Sequence, residues 1–264
     1  MLPFNFWYQQ LQQTYAPEEA KAILGKFLVE RTGRSLAFWI GEHESEWNTY
    51  IHELQQLANG IPVQYVLGYE WFGPLRIGVN SSVLIPRPET WELVQWASEK
   101  PSSTILDLCT GSGCIALAMA HFFTKATVGA LDVSEKALEI AEKNRNDLGL
   151  SVQFFQTDLL NETPPTGFET WISNPPYVGL AEKQQMENHV LDHEPHLALF
   201  VEDPLLFYQR LMDCFSQDAS AKQLFCEINP LFAEETLALG REFGWKVSSR
   251  MDFRGKLRMI HWEK

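Results

Sequence analysis

From Glu89 to the end, the chain alternates short apolar runs with amphipathic stretches, and this alternation limits the folds open to it more than any other feature. "STILDL", "ATVGALDV", "VQFFQTDLL", "TWISN" and "KQLFCEI" have the length and apolar content of buried strands. Between them, "WELVQWASEK", "CIALAMAHFF", "SEKALEIAEKNRNDLG", "PLLFYQRLMDCF" and "LFAEETLALGREF" carry helical periodicity, with Ser134 as the expected N-cap of the third. "WKVSSRMDF" and "LRMIHWE" read as a closing hairpin. Strands alternating with helices of this length predict an α/β fold with a doubly wound, mostly parallel sheet. Ligands of such sheets bind beyond the carboxyl ends of the strands.

The first 70 residues read differently. "APEEAKAILGKFLVERTG" has Pro and acids at its start, apolar residues at Ala20, Ile23, Leu24, Phe27 and Leu28, and Gly33 as a stop. "SEWNTYIHELQQLANG" repeats the logic, with Trp47, Tyr50, Ile51, Leu54 and Leu57 on one face and Gly60 as the stop. "NFWYQQLQQTY" is a third expected helix. "GYEWFGPLRIGVNSSVLIPRPET" is rich in Gly, Pro and alternating apolar residues, which predicts a β-hairpin with its turn near Val79-Asn80-Ser81. The expected organisation is a helical bundle over 1–70, a β-hairpin linker or hinge over 71–90, and an α/β domain over 91–264.

A net charge of −13 argues against a surface that grips bare nucleic-acid phosphates, so no direct nucleic-acid binding is expected. No apolar run is long enough to span a membrane, and "MLPFNFWYQQ" lacks the pattern of a signal peptide. The four cysteines, Cys109, Cys114, Cys214 and Cys226, form no Cys-x-x-Cys pair and lie in apolar surroundings. Reduced thiols in a cytoplasmic protein are the simplest reading.

Candidate chemistry begins at "ILDLCTGSGCIALA", where Asp107 ends a strand and Gly111 and Gly113 open a helix. Small residues let backbone approach a ligand, and a helix N-terminus offers free N–H groups. Gly111-x-Gly113-x-x-Ala116 matches the dinucleotide fingerprint. Asp107-Leu-Cys109-Thr110-Gly111-Ser112-Gly113 equally fits an S-adenosylmethionine loop with Cys in place of its first Gly, and a plain strand–helix turn is the third reading. Asp132 ends the next strand, where either nucleotide reading wants an acceptor for ribose hydroxyls; it also stands where a helix cap would. Asp158 and Leu159 follow the third strand, suited to an adenine amine and ring or to a surface turn.

The fourth strand delivers Asn174-Pro175-Pro176-Tyr177 and breaks the tie. A dehydrogenase has no use for this strip, and no residues for hydride transfer follow the Gly loop. An amide or exocyclic amine that must accept a methyl group does have a use for it, because its nitrogen lone pair is delocalised and needs orienting. The Asn174 side-chain oxygen and the Pro175 carbonyl can accept its two N–H groups and stabilise the charge that develops on nitrogen. The prolines bring no donors and little flexibility, and Tyr177 can wall a flat group. An Asn-capped, proline-rich turn is the alternative.

These residues resemble the HemK/PrmC family, the protein-(glutamine-N5) methyltransferases of class-1 peptide chain release factors. The resemblance rests on "PVQYVLGYEWFG", on "VLIPRPETWELV" with its Ile-Pro-Arg-Pro-Glu-Thr signature, on "DLCTGSGCIALAMA", on "SNPPYV" and on "VLDHEPHLAL". It implies a Rossmann-like, seven-stranded S-adenosylmethionine-dependent methyltransferase sheet with a small N-terminal substrate-recognition domain. It also implies that Cys109, Thr110, Gly111, Ser112 and Gly113 line the methionine part of the cofactor beside Asp107, and that Asp132 holds the ribose. Asp158 and Leu159 would hold the adenine, Leu84 and Arg87 would close the site, and Asn174, Pro175, Pro176 and Tyr177 would hold the substrate glutamine of a Gly-Gly-Gln loop. Arg87 alternatively pairs with Glu89 or Glu92. The implied partner is a release factor, the implied location the cytoplasm, the expected state a monomer. No metal is implied, and His189, His193 and His196 are too irregularly spaced to suggest one.

The nearest competitors are a nucleic-acid exocyclic-amine methyltransferase, a ribosomal-protein glutamine methyltransferase and a binding module without catalysis. Three departures from the family pattern stand out: Cys109 where Gly is usual, "FVEDP" where a Gly-rich loop is usual, and Glu227-Ile228-Asn229 where Glu-Ile-Gly is usual. The last two are expected to lie outside the catalytic core.

Overall fold

The structure, a computed structural model, describes residues 3–40, 44–186 and 188–264. Its internal contacts divide the chain into two compact units. Residues 1–69 group with 187–193, and residues 70–186 group with 194–264. Residues 71–90 therefore belong, by contacts, to the second unit.

The first unit is helical: α1 (Pro3–Leu11), α2 (Pro17–Thr32), α3 (Leu36–Ile40), α4 (Glu44–Trp47), α5 (Ile51–Ala58) and α6 (Val63–Leu67). In α2, Pro17 pre-sets the first turn and Glu18 and Glu19 complement the helix dipole. Gly33 ends it in the left-handed region at φ 69°, with its N–H on the Val29 carbonyl. Ala20, Leu24, Phe27 and Leu28 form its buried stripe. The expected single helix through Trp47 and Leu57 is instead broken by a 3₁₀ turn over Asn48–Tyr50. The tighter turn rotates the face, so Ile51 points to solvent at 39% exposure while Leu54 and Leu57 stay buried. At the two ends of the break Trp47 and Tyr50 both set their rings edge-on to Trp39, at 5.1 and 6.0 Å.

The second unit begins with a hairpin, β1 (Tyr69–Phe72) and β2 (Leu75–Gly78), entered from Tyr69. Its turn is Gly73-Pro74, not the expected Val79-Asn80-Ser81. Gly73 takes φ 57°, and a Cβ there would meet the Trp91 ring at 2.2 Å, so only glycine fits. Asn80 makes a later turn that follows the hairpin, with its side chain accepting from the Ser82 N–H at 2.9 Å.

The seven-stranded sheet contains β3 (Thr104–Leu108), β4 (Thr127–Asp132), β5 (Gln153–Gln156), β6 (Thr170–Ser173), β9 (Gln223–Glu227), β10 (Lys246–Met251) and β11 (Leu257–Glu263). Two short strands, β7 (Val178–Gly179) and β8 (Phe200–Val201), pair separately. The sheet order is β10-β11-β9-β6-β3-β4-β5. The run from β9 to β5 is parallel, and β11 is antiparallel to both β9 and β10. Helices α7 (Pro88–Ser98), α8 (Cys114–Phe122), α9 (Glu135–Leu148), α11 (Leu206–Gln217) and α12 (Ala233–Glu242) connect and flank the strands, while α10 (Asn188–His193) groups with the first unit. Ser134 caps α9 as expected, accepting from the Ala137 N–H at 3.2 Å. The central strands are buried on both faces, as a sheet covered by helices requires, and Leu106, Trp171, Leu224 and Trp262 lie in one core. None of the described helices is long and apolar enough to cross a membrane.

Candidate functional site

The chain runs outward from β3 through β4 to β5 and then crosses back to β6 on the other side of β3, so a crevice opens at the carboxyl end of β3. Register sets the level of what projects there. Leu108 pairs with Leu131 and with Ser173, and Ser173 pairs with Cys226. Cys109, Asp132, Asn174 and Glu227 therefore follow at one height on four neighbouring strands.

The loop after β3 is tightly wound. Cys109 has φ 64°, the one positive φ of a non-glycine residue among the described residues, in the slot where glycine carries no steric cost. The Thr110 N–H bonds the Leu131 carbonyl at 2.9 Å. Gly113 takes φ 83° and a Cβ there would sit 3.1 Å from Ala141 Cβ, so glycine lets α8 start hard against α9. Desolvation, aided by Asp132 and Asp107, holds the Cys109 thiol well above its ordinary pKa, which leaves it neutral.

Asp107 lies behind this loop, fully buried. Its Oδ2 accepts from the Thr110 hydroxyl and from the Ala116 N–H, while Oδ1 has no partner. Burial pushes its pKa up to about 7. Asp132 binds the Gly111 N–H through Oδ2 at 2.8 Å and the Ser134 N–H through Oδ1 at 2.9 Å. It thus ties the loop to the end of β4 and serves the start of α9. Burial raises its pKa against the pull of those bonds. Asp158 makes a local turn, accepting from the Leu160 N–H and the Asn161 side chain, while Leu159 is buried.

A cavity of about 260 Å³ opens onto these residues. Leu84, Arg87, Cys109, Thr110, Gly111 and Ser112 line it, as do Asp132, Asp158, Leu159, Asn174 and Pro176. Asp107 and Gly113 do not reach it. A second cavity of about 600 Å³ is lined by Pro175 and Tyr177, and also by Leu84, Arg87 and Asn174. The two clefts therefore meet at Asn174, Leu84 and Arg87.

Arg87 pairs with neither Glu89 nor Glu92. Its guanidinium bonds the buried Glu194, whose other oxygen accepts from the Ile85 N–H at 3.2 Å. Glu194 belongs to "EPHLAL", so two segments far apart in sequence close on each other here. The expectation that Glu227-Ile228-Asn229 lies outside the core is corrected. Asn229 Nδ2 bonds the Tyr177 carbonyl at 3.1 Å, and Glu227 accepts from the Tyr177 hydroxyl at 2.7 Å. Thr90 accepts from Asn174 Nδ2 at 3.0 Å and donates to Glu227 at 2.6 Å. Asn144 is another residue the sequence reading passed over. Its side chain bonds the Gly78 N–H and carbonyl and the Ser112 carbonyl, tying β2 to the loop after β3. Glu227 carried a usable signal, an acid closing an apolar strand as Asp132 does; Thr90 and Asn144 sit inside helices and carried none. His189 and His193 group with the first unit and His196 with the second. No cluster of metal-ligating side chains occurs among the described residues.

Comparison with known proteins fits this geometry. Residues 90–197 match the methyltransferase small domain family model. A release factor glutamine methyltransferase of Flavobacterium psychrophilum is 40% identical over 227 residues, 81% of this chain and 79% of that one. One from Bacteroides thetaiotaomicron is 38% identical, over 88% of this chain and 87% of that one. A solved methyltransferase structure from Pyrococcus furiosus superposes with a TM-score of 0.55 at 16% identity, over 73% of this chain and 90% of that one, a likeness of fold. With relatives this similar over most of both chains, and a methyltransferase sheet beneath the site, the chain belongs to the release factor glutamine methyltransferase family.

Proposed function

We propose that this protein transfers the methyl group of S-adenosylmethionine to the side-chain amide nitrogen of the glutamine in the Gly-Gly-Gln motif of a class-1 peptide chain release factor. The observation that carries the reading is the meeting of two clefts at Asn174, one walled by the Gly-rich loop and the other by Pro175 and Tyr177. The relatives' name supplies the substrate.

The first cleft fits the cofactor. Ser112 Oγ is buried without a protein partner, and nothing lies within 4 Å of where a Cβ on Gly111 would be, so the loop offers a free polar atom and open backbone. Cys109, Thr110, Gly111 and Ser112, which line the cleft, would hold the methionine part, while Gly113 would act only by letting α8 start close behind the loop. The carboxylate of Asp132 keeps lone pairs for ribose hydroxyls beyond the two N–H groups it already accepts. Leu159 and Asp158 would hold the adenine. Bound there, the cofactor supplies an electrophilic methyl on a sulfonium.

The chain's own residues prepare the nucleophile. Asn174 Oδ1 and the Pro175 carbonyl accept the two N–H groups of the substrate amide. That holds the nitrogen lone pair toward the methyl group and offsets the positive charge that grows on nitrogen. With the cofactor held by the Gly-rich loop, Asp132 and Leu159, these two acceptors would present the amide nitrogen to the methyl group it supplies, and the proton that the nitrogen sheds would pass to solvent. Arg87, held by Glu194, borders both clefts and would close the site.

Residues 1–70 carry no cofactor motif and are assigned to recognition of the release-factor body. The protein acts as a cytoplasmic monomer, where translation places its substrate. The test is mass spectrometry of a purified release factor after incubation with labelled S-adenosylmethionine. A single methyl on the Gly-Gly-Gln glutamine is expected. Labelled nucleic acid with an unmodified release factor would overturn the reading. A truncated protein lacking residues 1–70 should keep cofactor binding and methylate whole release factor poorly.

A further inference from the structure

The orientation of the Asn174 amide is set by a carboxylate it does not touch. Asn174 Nδ2 donates to Thr90 Oγ1, and Thr90 Oγ1 donates to Glu227 Oε2. A hydroxyl has one proton. Spent on the carboxylate, it leaves Thr90 only an acceptor toward Asn174. The amide must therefore show its nitrogen to Thr90. Turned over, it would set Oδ1 against a hydroxyl oxygen with no proton to give, and leave a donor facing the substrate.

The other carboxylate oxygen serves the far end of the same strip. Glu227 Oε1 accepts from the Tyr177 hydroxyl at 2.7 Å, and Arg258 approaches that hydroxyl oxygen at 3.4 Å. Thr90 and Glu227 are each 2% exposed, so water does not compete for these bonds. The Glu227 carbonyl accepts from the Tyr208 hydroxyl at 3.0 Å, which anchors the residue from behind. Strand register brings Glu227 level with Asn174, and the first turn of α7 supplies Thr90.

We infer that Glu227 is a positioning residue for methyl transfer: through Thr90 it turns the Asn174 amide oxygen to the substrate, and directly it holds Tyr177. This rests on the reading that Asn174 receives the substrate amide. It goes further in assigning which buried groups preorganise that acceptor.

The test is Thr90→Val, which keeps the shape and removes the hydroxyl. Single-turnover transfer to purified release factor should slow on the order of tenfold to a hundredfold, with cofactor affinity and KM little changed. Thr90→Ser should recover most of the rate. In an Asn174→Ala background Thr90→Val should cost nothing further, because the two substitutions break one chain of bonds. An equal loss in both backgrounds would mean that Thr90 only packs, and would overturn the inference. A second measurement needs no substrate. The Asn174 side-chain amide signal, identified by its loss in Asn174→Ala, should exchange its protons slowly in the wild type and Thr90→Ser and fast in Thr90→Val. Unchanged protection in Thr90→Val overturns the inference even if the protein methylates nothing; a wild type that methylates no release factor overturns the functional reading alone. Should Thr90→Val fail to fold, Thr90→Ala carries the same comparison.

Discussion

The two units bury different things. The helical unit hides Leu24, Phe27, Trp39, Trp47 and Leu54 in an apolar core, and the buried side chains among its described residues are aliphatic or aromatic, with polar atoms only on the aromatic rings, such as the indole N–H groups of Trp39 and Trp47. The sheet unit buries Asp107, Thr110, Ser112, Glu194, Glu227 and Asn229 among others. A buried polar group has to find a partner or it destabilises the fold. A chain that keeps so many in one region is holding them for something other than packing. The contrast teaches where chemistry can live: the helical unit is built as a shape, the sheet unit as a preorganised polar site.

The largest expected effect tests the helical side. Trp39 is fully buried, edge-on to Trp47, with its indole N–H on Thr32 Oγ1 at 3.2 Å. Trp39→Ala should destabilise by about 3–5 kcal/mol in urea unfolding, while calorimetry on the folded protein finds cofactor affinity unchanged. A fall in cofactor affinity would break the division between the units. Next comes Asn174→Ala, which should leave cofactor binding nearly intact and slow single-turnover methyl transfer on the order of a hundred- to a thousand-fold. A near wild-type rate would reduce the strip to a stiff turn. Asn174→Asp keeps the shape but sets a negative charge beside a sulfonium. It should bind cofactor at least as well and still transfer slowly.

Asp132→Ala is smaller, because each bond to a carboxylate contributes about 1.5–3 kcal/mol. Cofactor affinity should drop correspondingly in calorimetry, and stability should fall too, since Asp132 also ties the Gly111 and Ser134 N–H groups. Lost stability with unchanged affinity would leave it a purely structural acid. The smallest effect is at Arg34, whose ion pair with Glu46 is open to solvent. Arg34→Ala should lower the stability measured by urea unfolding by less than about 1 kcal/mol. A larger loss would show that the helical unit, too, depends on charge.

The sheet was legible because parallel strands buried on both faces leave continuous apolar runs, and β3, β4 and β6, ending at Leu108, Asp132 and Ser173, lie within a residue of where they were expected. Ser134 as a cap and Gly33 as a stop were legible because both act within one helical turn. The hairpin turn was misplaced because both Gly73-Pro74 and the residues after Val79 carry turn chemistry, and the choice between them depends on the Trp91 ring that Gly73 packs beneath.

The site divides along the same line. The Gly-rich loop, the acids at strand ends and Asn174-Pro175-Pro176-Tyr177 follow from local rules of chain and chemistry, which act between near neighbours in sequence. The partners do not. Thr90 reaches Asn174 across 84 positions and Glu227 across 137, and Arg87 finds Glu194 across 107 instead of the nearby Glu89. No spacing rule covers such distances. Those bonds depend on strand order and register, which settle which carboxylate stands beside which amide once the sheet has formed.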